Sequence, residues 1–296
     1  MEKPLYAGET LGNRLWIEFR IVIILETIFR QARTDGTQQW FRELLTNIHN
    51  ATPTLEDWNL LQYRTNTFLL AKERSEFDTS IHLFATNILA KNHNKYMLQS
   101  LAMPIARFIA DFTKRSDVEH EDDHQLDQEI LLCVGQRVML TCSLLVQSEL
   151  VNGALGVVIQ IVYRPGSNPP QSPAYVVVEF DNYIGFPWDQ SNPKHIPIPP
   201  IQRNNRKQVP LKMAWALTIH KSQGLTLTRS TIDIGNTERQ GLTFTSISRT
   251  TTLQGMWIAP AFSFEQYAKM NDTSYVSLRK EEEKHLQTLS LLGYKK

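Results

Sequence analysis

The chain reads as an α/β fold interrupted by a small antiparallel β-barrel, and three observations predict it. Ile81-His82-Leu83-Phe84-Ala85 is a short apolar run, Thr86-Asn87 break it, and a helical pattern through Ile88, Leu89 and Asn94 follows. Strand, polar turn and helix in that order is the local pattern of an α/β domain, with functional side chains at the carboxyl end of the strand. From Leu131 the period changes to two, as in Gly135-Gln136-Arg137-Val138-Met139-Leu140-Thr141-Cys142. Buried-strand runs then return at Thr231-Ile232-Asp233-Ile234-Gly235 and Met256-Trp257-Ile258-Ala259, with a helix between them.

Composition bounds what such a fold can do. With 296 residues, 42% hydrophobic and 21% charged, the chain can bury a sizeable core and has globular character. Thirty-one Lys and Arg against 30 Asp and Glu give a net charge of +1, so any polyanion site has to be local. Cys133 and Cys142 are too few for a disulfide framework and wrongly spaced for a four-thiolate zinc site, which points to a reduced, intracellular chain. The opening residues, with Glu2 and Glu9, make no signal peptide. The apolar run from Ile21 to Leu25 is too short to span a bilayer, so no membrane partner is expected.

In chain order, residues 15–25 turn strand-like and lead to Phe29-Arg30-Gln31. An arginine straight after a buried segment is either a fixed guanidinium aimed into a cleft or an ordinary surface ion pair. Trp40, Phe41, Leu44, Leu45 and Ile48 recur at helical spacing and predict a core-facing amphipathic helix. Thr52-Pro53-Thr54-Leu55-Glu56-Asp57-Trp58 reads as a turn and a capped helix start. Thr86 either caps the helix that follows it or faces a ligand.

Residues 116–129 crowd seven carboxylates, and His120-Glu121-Asp122-Asp123-His124 satisfies the H-E-x-x-H pattern of a zinc helix. A catalytic zinc helix needs apolar neighbours to exclude water, and these are charged or amide residues, so a solvated loop is expected and no metal site. The barrel follows, with Asn152-Gly153 as a turn and Val157, Ile159, Ile161 and Tyr163 on one strand face. Tyr175-Val176-Val177-Val178-Glu179-Phe180 is a further strand, and five prolines between 187 and 200 mark an irregular exit. Arg203, Arg206, Lys207 and Lys212 form the densest basic patch, read equally as a solvated face or as the approach to an anion site. The residues from Ser274 onward are charged with helical leucines, which predicts a peripheral helix.

The stretch Trp215-Ala216-Leu217-Thr218-Ile219-His220-Lys221-Ser222-Gln223-Gly224-Leu225 carries the chemistry. It passes from an apolar strand into a hydroxyl, an imidazole, an ammonium and an amide, then a glycine that frees the backbone to turn. Such a loop suits gripping a phosphate backbone, although Lys-Ser-Gln-Gly alone also describes a surface turn.

Extended to Pro210 and Leu227, this stretch resembles motif V of the Pif/RecD-type superfamily-1B DNA helicases, including those of Helitron transposons. Glu238-Arg239-Gln240-Gly241-Leu242-Thr243-Phe244-Thr245-Ser246-Ile247-Ser248-Arg249 is similar to the approach to motif VI, Phe29-Arg30-Gln31 to motif IV, and Leu83-Phe84-Ala85-Thr86-Asn87 to the family's strand-turn segment. The resemblance implies a P-loop NTPase-type parallel sheet, the second RecA-like helicase domain, with an inserted SH3-like barrel. It divides the chain into a first-domain boundary and the start of that domain at 1–130, the barrel at 131–205, the remainder with motifs V and VI at 206–272, and a helical tail at 273–296. Arg30 and Arg249 would sense the γ-phosphate of ATP, with Gln31 and Gly224 beside the nucleotide. Thr86, Asn87, Thr218, His220, Lys221 and Ser222 would hold single-stranded DNA by its backbone, in a 5′ to 3′ motor expected in the nucleus.

None of the 13 glycines is followed by lysine, so no G-x-x-x-x-G-K-[ST] phosphate loop occurs in these residues, and no Asp-Glu dipeptide occurs for magnesium. ATP and Mg²⁺ are therefore expected to act only where a first motor domain is supplied, and this chain alone is expected to be inactive. The competing expectation is a non-catalytic module that binds single strands.

Overall fold

The computed structural model describes residues 15, 18–23, 27–112, 126–203, 205–235, 241–269 and 274–291. At its centre four parallel strands lie in the order Ala216–Thr218, Ile81–Phe84, Ser230–Asp233, Met256–Ile258. The first of these in sequence is therefore flanked by the two that follow it, so the order reverses beside Ile81–Phe84. In open α/β sheets ligand sites form at the carboxyl ends of strands beside such a reversal. Alternation sets the faces: Ile81 and Leu83 are buried, while His82 and Phe84 are half-buried.

One face packs on the amphipathic helix Gly36–His49, whose Phe41, Leu44, Leu45 and Ile48 are buried against Leu83, Ile232, Met256 and Ile258. Asp35 caps this helix by accepting from the Gln38 amide. Thr54 and Asp57 form a reciprocal capping box on the next helix, Leu55–Gln62, which satisfies two of the amide groups that a helix start leaves open. The short helices Leu242–Ile247 and Phe264–Ala268 complete this layer, with Tyr267 fully buried.

The other face carries the helix Asn87–Ser100, which buries Ala90, Asn94 and Leu98 at four-residue spacing. Thr86 is its N-cap and accepts from the Leu89 amide at 3.4 Å, so of the two roles open to it, capping is occupied. His93 on this helix meets His82 on the strand, Nε2 to Nδ1 at 2.6 Å. Burial, then the charge of His93, pushes the His82 pKa from 6.5 down to about 4. Between those values the unfolded chain takes up a proton that the folded chain refuses, so stability is fully present above 6.5 and falls as pH drops to about 4. His82 contributes about 3 kcal/mol to that fall. Urea unfolding of the wild type and of His82→Gln should therefore converge in stability on acidification from pH 7 to 4, and a difference constant with pH would refute this.

Between strand Ile81–Phe84 and its neighbour Ala216–Thr218 the chain makes a long antiparallel excursion. Five strands pair in the order Leu211–Met213, Arg137–Leu140, Leu155–Val162, Tyr175–Phe180, His195–Ile198. Phe108, Ile130 and Leu132 from the ladder Ala106–Ile109 with Glu129–Leu132 share its core with Val138, Val158, Val178 and Ile198. Gly156 is required here, because a Cβ on it would lie 2.6 Å from the Glu179 carbonyl oxygen of the adjacent strand. The pairing runs from Ala106 to Met213, wider than the expected limits 131–205, because Phe108 and Leu211 belong to the same core.

Cys133 and Cys142 are free and buried. The tail contains the helix Ser274–Gln287, and Ser290–Leu291 pairs in parallel with Ile21–Val22. Among the described residues no helix is long and apolar enough to cross a membrane. The H-E-x-x-H residues and most of the acidic segment lie outside the described residues.

Candidate nucleic-acid and anion interface

The edge strand Ala216–Thr218 delivers its carboxyl end to a cleft, and one side chain holds it there. Asn94 donates from Nδ2 to the Ala216 carbonyl at 2.8 Å and accepts from the Ala216 amide at Oδ1, also at 2.8 Å. The amide group thus stands where a further strand would pair. Thr218 then enters a 3-10 turn, Ile219–Ser222, and Gly224 lets the chain reverse at φ +88° with open space around it.

His220 and Lys221 project to solvent, whereas Ser222 is fully buried and donates from its hydroxyl to the Ile219 carbonyl at 2.6 Å. The Ser222 side chain, expected to meet DNA, thus lies on the inner side of the tight turn and closes it. Thr218 is also buried, yet lines a cleft of 440 Å³ together with Asn87, Lys91, Asp127, Lys212 and Lys221. The neighbouring Lys212 ammonium, followed by burial and by Lys91, lowers the Lys221 pKa, and Asp127 partly offsets this. Cations that repel one another in the free protein are stabilised by an entering polyanion.

Lys212 and Lys221 also wall a second cleft of 320 Å³, lined further by Thr141, Asn152, Gly153 and Gln223. The Thr141 hydroxyl is buried there and finds no hydrogen-bond partner among the described residues. Of the basic patch, Arg206 is buried, donating to the Leu126 carbonyl at 2.6 Å and lying over the Phe112 ring, so it is neither solvated nor in the cleft. Only Lys212 of that patch lines either cleft.

The same loop reaches a second cationic group at its far end. Arg30 donates from Nε to the Thr226 hydroxyl and from a terminal nitrogen to the Ser248 carbonyl, both at 3.0 Å. Arg249, just past the helix Leu242–Ile247, donates to the Thr245 carbonyl at 2.8 Å and the Ser248 hydroxyl at 2.9 Å. Burial, then Arg30, lowers the Arg249 pKa. Among the described residues neither guanidinium forms a salt bridge. Gln31 is buried and donates to the Ser248 and Thr250 carbonyls, so it fixes the segment that carries Arg249.

Sequence reasoning put Arg30, Arg249, Thr226 and the grip loop in order along the chain but did not join them; the loop from Thr218 to Thr226 does. It also missed Asn94 as an anchor, and Lys91, Thr141 and Asn152 as cleft residues. Lys91 could have been found from its place one turn past Asn87, since residues four apart share a helix face.

No family model matches the chain. The ATP-dependent DNA helicase PIF1 of Danio rerio is 35% identical over 125 residues, 42% of this chain and 18% of that protein. Its counterpart in Homo sapiens is 32% identical over 170 residues, 55% of this chain and 24% of that protein. The solved Pif1 helicase of Candida albicans superimposes with a TM-score of 0.62 at 22% identity, over 88% of this chain and 60% of that one. A Bacteroides Pif1 solved with single-stranded DNA and ADP-AlF3 gives 0.59 at 23% identity, over 88% and 56%. The chain thus spans a quarter or less of those two relatives and little more than half of those solved structures. In sequence this chain is similar to part of the Pif1 DNA helicases, and it shares the α/β RecA-like fold of the solved ones.

Proposed function

We propose that these residues are the second motor domain, from the carboxyl-terminal part of a 5′ to 3′ DNA helicase, and that they grip single-stranded DNA and sense a nucleotide. One observation carries this reading: a single loop has Lys221 among the cleft lysines at one end and Thr226 hydrogen-bonded to Arg30 at the other. The two clefts that share Lys212 and Lys221 make a track for a sugar-phosphate backbone, and lysines, hydroxyls and amides hold such a backbone without reading sequence. The antiparallel excursion acts as the SH3-like insertion of this family, placing Thr141 and Asn152 along the track.

Arg30 and Arg249 fit the charged end of a nucleotide, since both are held by main-chain carbonyls and hydroxyls and keep their charge for an outside anion. ATP, when bound, supplies that charge. The magnesium carboxylate and the phosphate-loop lysine do not occur in this sequence, so turnover requires a first RecA-like domain as partner. A change at the arginines then reaches the DNA cleft through Thr226 and the 3-10 turn.

Two measurements on the 296-residue chain test this. Fluorescence anisotropy with labelled oligo(dT) should give a dissociation constant of about 1–100 μM that weakens steeply with salt, and absence of binding at low salt would remove the grip. Phosphate release from ATP should stay at background with or without oligo(dT), and DNA-stimulated turnover would sink the division of labour. The absence of both ATP-binding motifs favours a second reading, a binding module that works without any motor, in which supplying a first domain restores no turnover.

A further inference from the structure

Two loops at one end of the antiparallel unit expose six large apolar side chains. Leu144, Leu145 and Val146 are 36%, 46% and 65% exposed, and Ile184, Phe186 and Trp188 are 70%, 96% and 61% exposed. The loops lie against each other: the Ile184 amide donates to the Ser148 carbonyl at 3.5 Å, and a Cβ on Gly185 would sit 2.5 Å from the Ser148 hydroxyl oxygen.

Both loops are held in shape. The Leu144 and Leu145 amides donate to the Leu150 carbonyl, and Glu149 closes that hairpin in the left-handed conformation at φ +61°. The Tyr183 hydroxyl donates to the Phe186 carbonyl at 2.8 Å, and the Trp188 ring meets Tyr175 edge to face at 6.3 Å. A patch of this kind that is already ordered loses little entropy on binding, and large apolar patches on monomers mark interaction sites.

Charge selects the occupant. Residues 143–152 and 179–193 contain Glu149, Glu179, Asp181 and Asp189 and no Lys, Arg or His. Three basic residues border these loops, Arg137 paired with the Asp181 carboxylate, Lys194 donating to the Asp181 carbonyl at 2.7 Å and His195 near Asp189, which leaves Glu149, Glu179 and Asp189 without an ion pair among the described residues. Hydrogen bonds from Asn192 and the Ser191 amide hold the Asp189 pKa below its usual value, so it stays charged. An acidic rim repels a phosphate backbone and an anionic lipid surface, and attracts lysine and arginine.

We propose that this patch docks an apolar, basic peptide segment of a partner protein, seated on Phe186 and Trp188, and is not part of the nucleic-acid track. Both aromatic side chains face solvent, so Phe186→Ser with Trp188→Ser removes the anchors without opening the core.

The test is selection of a random twelve-residue peptide library displayed on phage against the immobilised full chain. Enriched peptides should combine aliphatic or aromatic residues with Lys or Arg, bind more weakly as salt rises, and lose at least about tenfold in affinity against the double variant. Oligo(dT) binding should be the same for the variant and the wild type. No enrichment, enriched peptides that are acidic, or peptide binding unaffected by the double substitution would each overturn the proposal. Loss of oligo(dT) binding in the variant would reassign the patch to nucleic acid. A wild-type dimer in sedimentation equilibrium that the variant abolishes would reassign it to a second copy of this chain.

Discussion

Lys221→Ala lowers the affinity for oligo(dT) by roughly tenfold at low salt, and Lys91→Ala with Lys212→Ala and Lys221→Ala takes it below detection. A charged hydrogen bond to a phosphate is worth about 1.5–3 kcal/mol, and these three ammonium groups converge on one anion path. The salt dependence is the sharper readout. Each phosphate of a single strand that is no longer neutralised by an ammonium reduces the slope of log K against log salt by about 0.7, so the triple variant should show a slope shallower by about two units.

Folding should not suffer in these variants. The Lys221 pKa is lowered chiefly by Lys212, so removing either lysine relieves a repulsion that Asp127 offsets only in part. Thermal unfolding should therefore be unchanged or slightly raised while binding falls. If Lys221→Ala binds oligo(dT) like the wild type across the salt range, the cleft is not the grip.

Elements with a clear period were legible in the sequence. Phe41, Leu44, Leu45 and Ile48 repeat at helical spacing and pack where that spacing puts them. The strands Ile81–Phe84 and Met256–Ile258 are mainly apolar runs, and Ser230–Asp233 opens the run that continues to Ile234. The limits of the antiparallel excursion were less legible, because Ala106–Ile109 is four residues long and its burial depends on Phe108 meeting Ile130 far along the chain.

Side-chain roles were legible only where local chemistry decides them. His220 and Lys221 stand exposed at the turn, as polar residues that follow a buried strand suggest. The place of Ser222 could not be read, because a serine in a tight turn looks the same in sequence whether it faces out or closes the turn. The inward turn of Gln31 and Arg206 was hidden for a related reason: their partners, Ser248 and Leu126, lie far away in sequence. A basic run suggests one field, yet folding sent Arg206 inward and left Lys212 at the clefts.

Asn94→Ala separates stability from charge. Residues 215 and 217 of the edge strand face the sheet, as the bond from the His82 amide to the Trp215 carbonyl at 2.9 Å requires, so the amide and carbonyl of Ala216 point away from it. Asn94 meets both, and it is buried. Alanine there leaves one donor and one acceptor without partners in the interior, at about 1–2.5 kcal/mol each within the usual range, for a total of about 2–5 kcal/mol. At about 2–4 °C per kcal/mol for a unit of this size, the α/β transition should fall by roughly 4–20 °C. Asn94→Asp should recover little, because a carboxylate keeps the acceptor and loses the donor that the Ala216 carbonyl needs. Oligo(dT) binding should weaken as well, since Thr218 and Lys221 follow directly from the freed strand, but the salt slope should stay near that of the wild type because all three lysines remain. The two variants thus predict opposite pairs of results: Lys221→Ala changes the slope and spares the melting temperature, and Asn94→Ala lowers the melting temperature and spares the slope. If Asn94→Ala melts like the wild type, Ala216 finds other partners and the edge strand does not depend on this side chain.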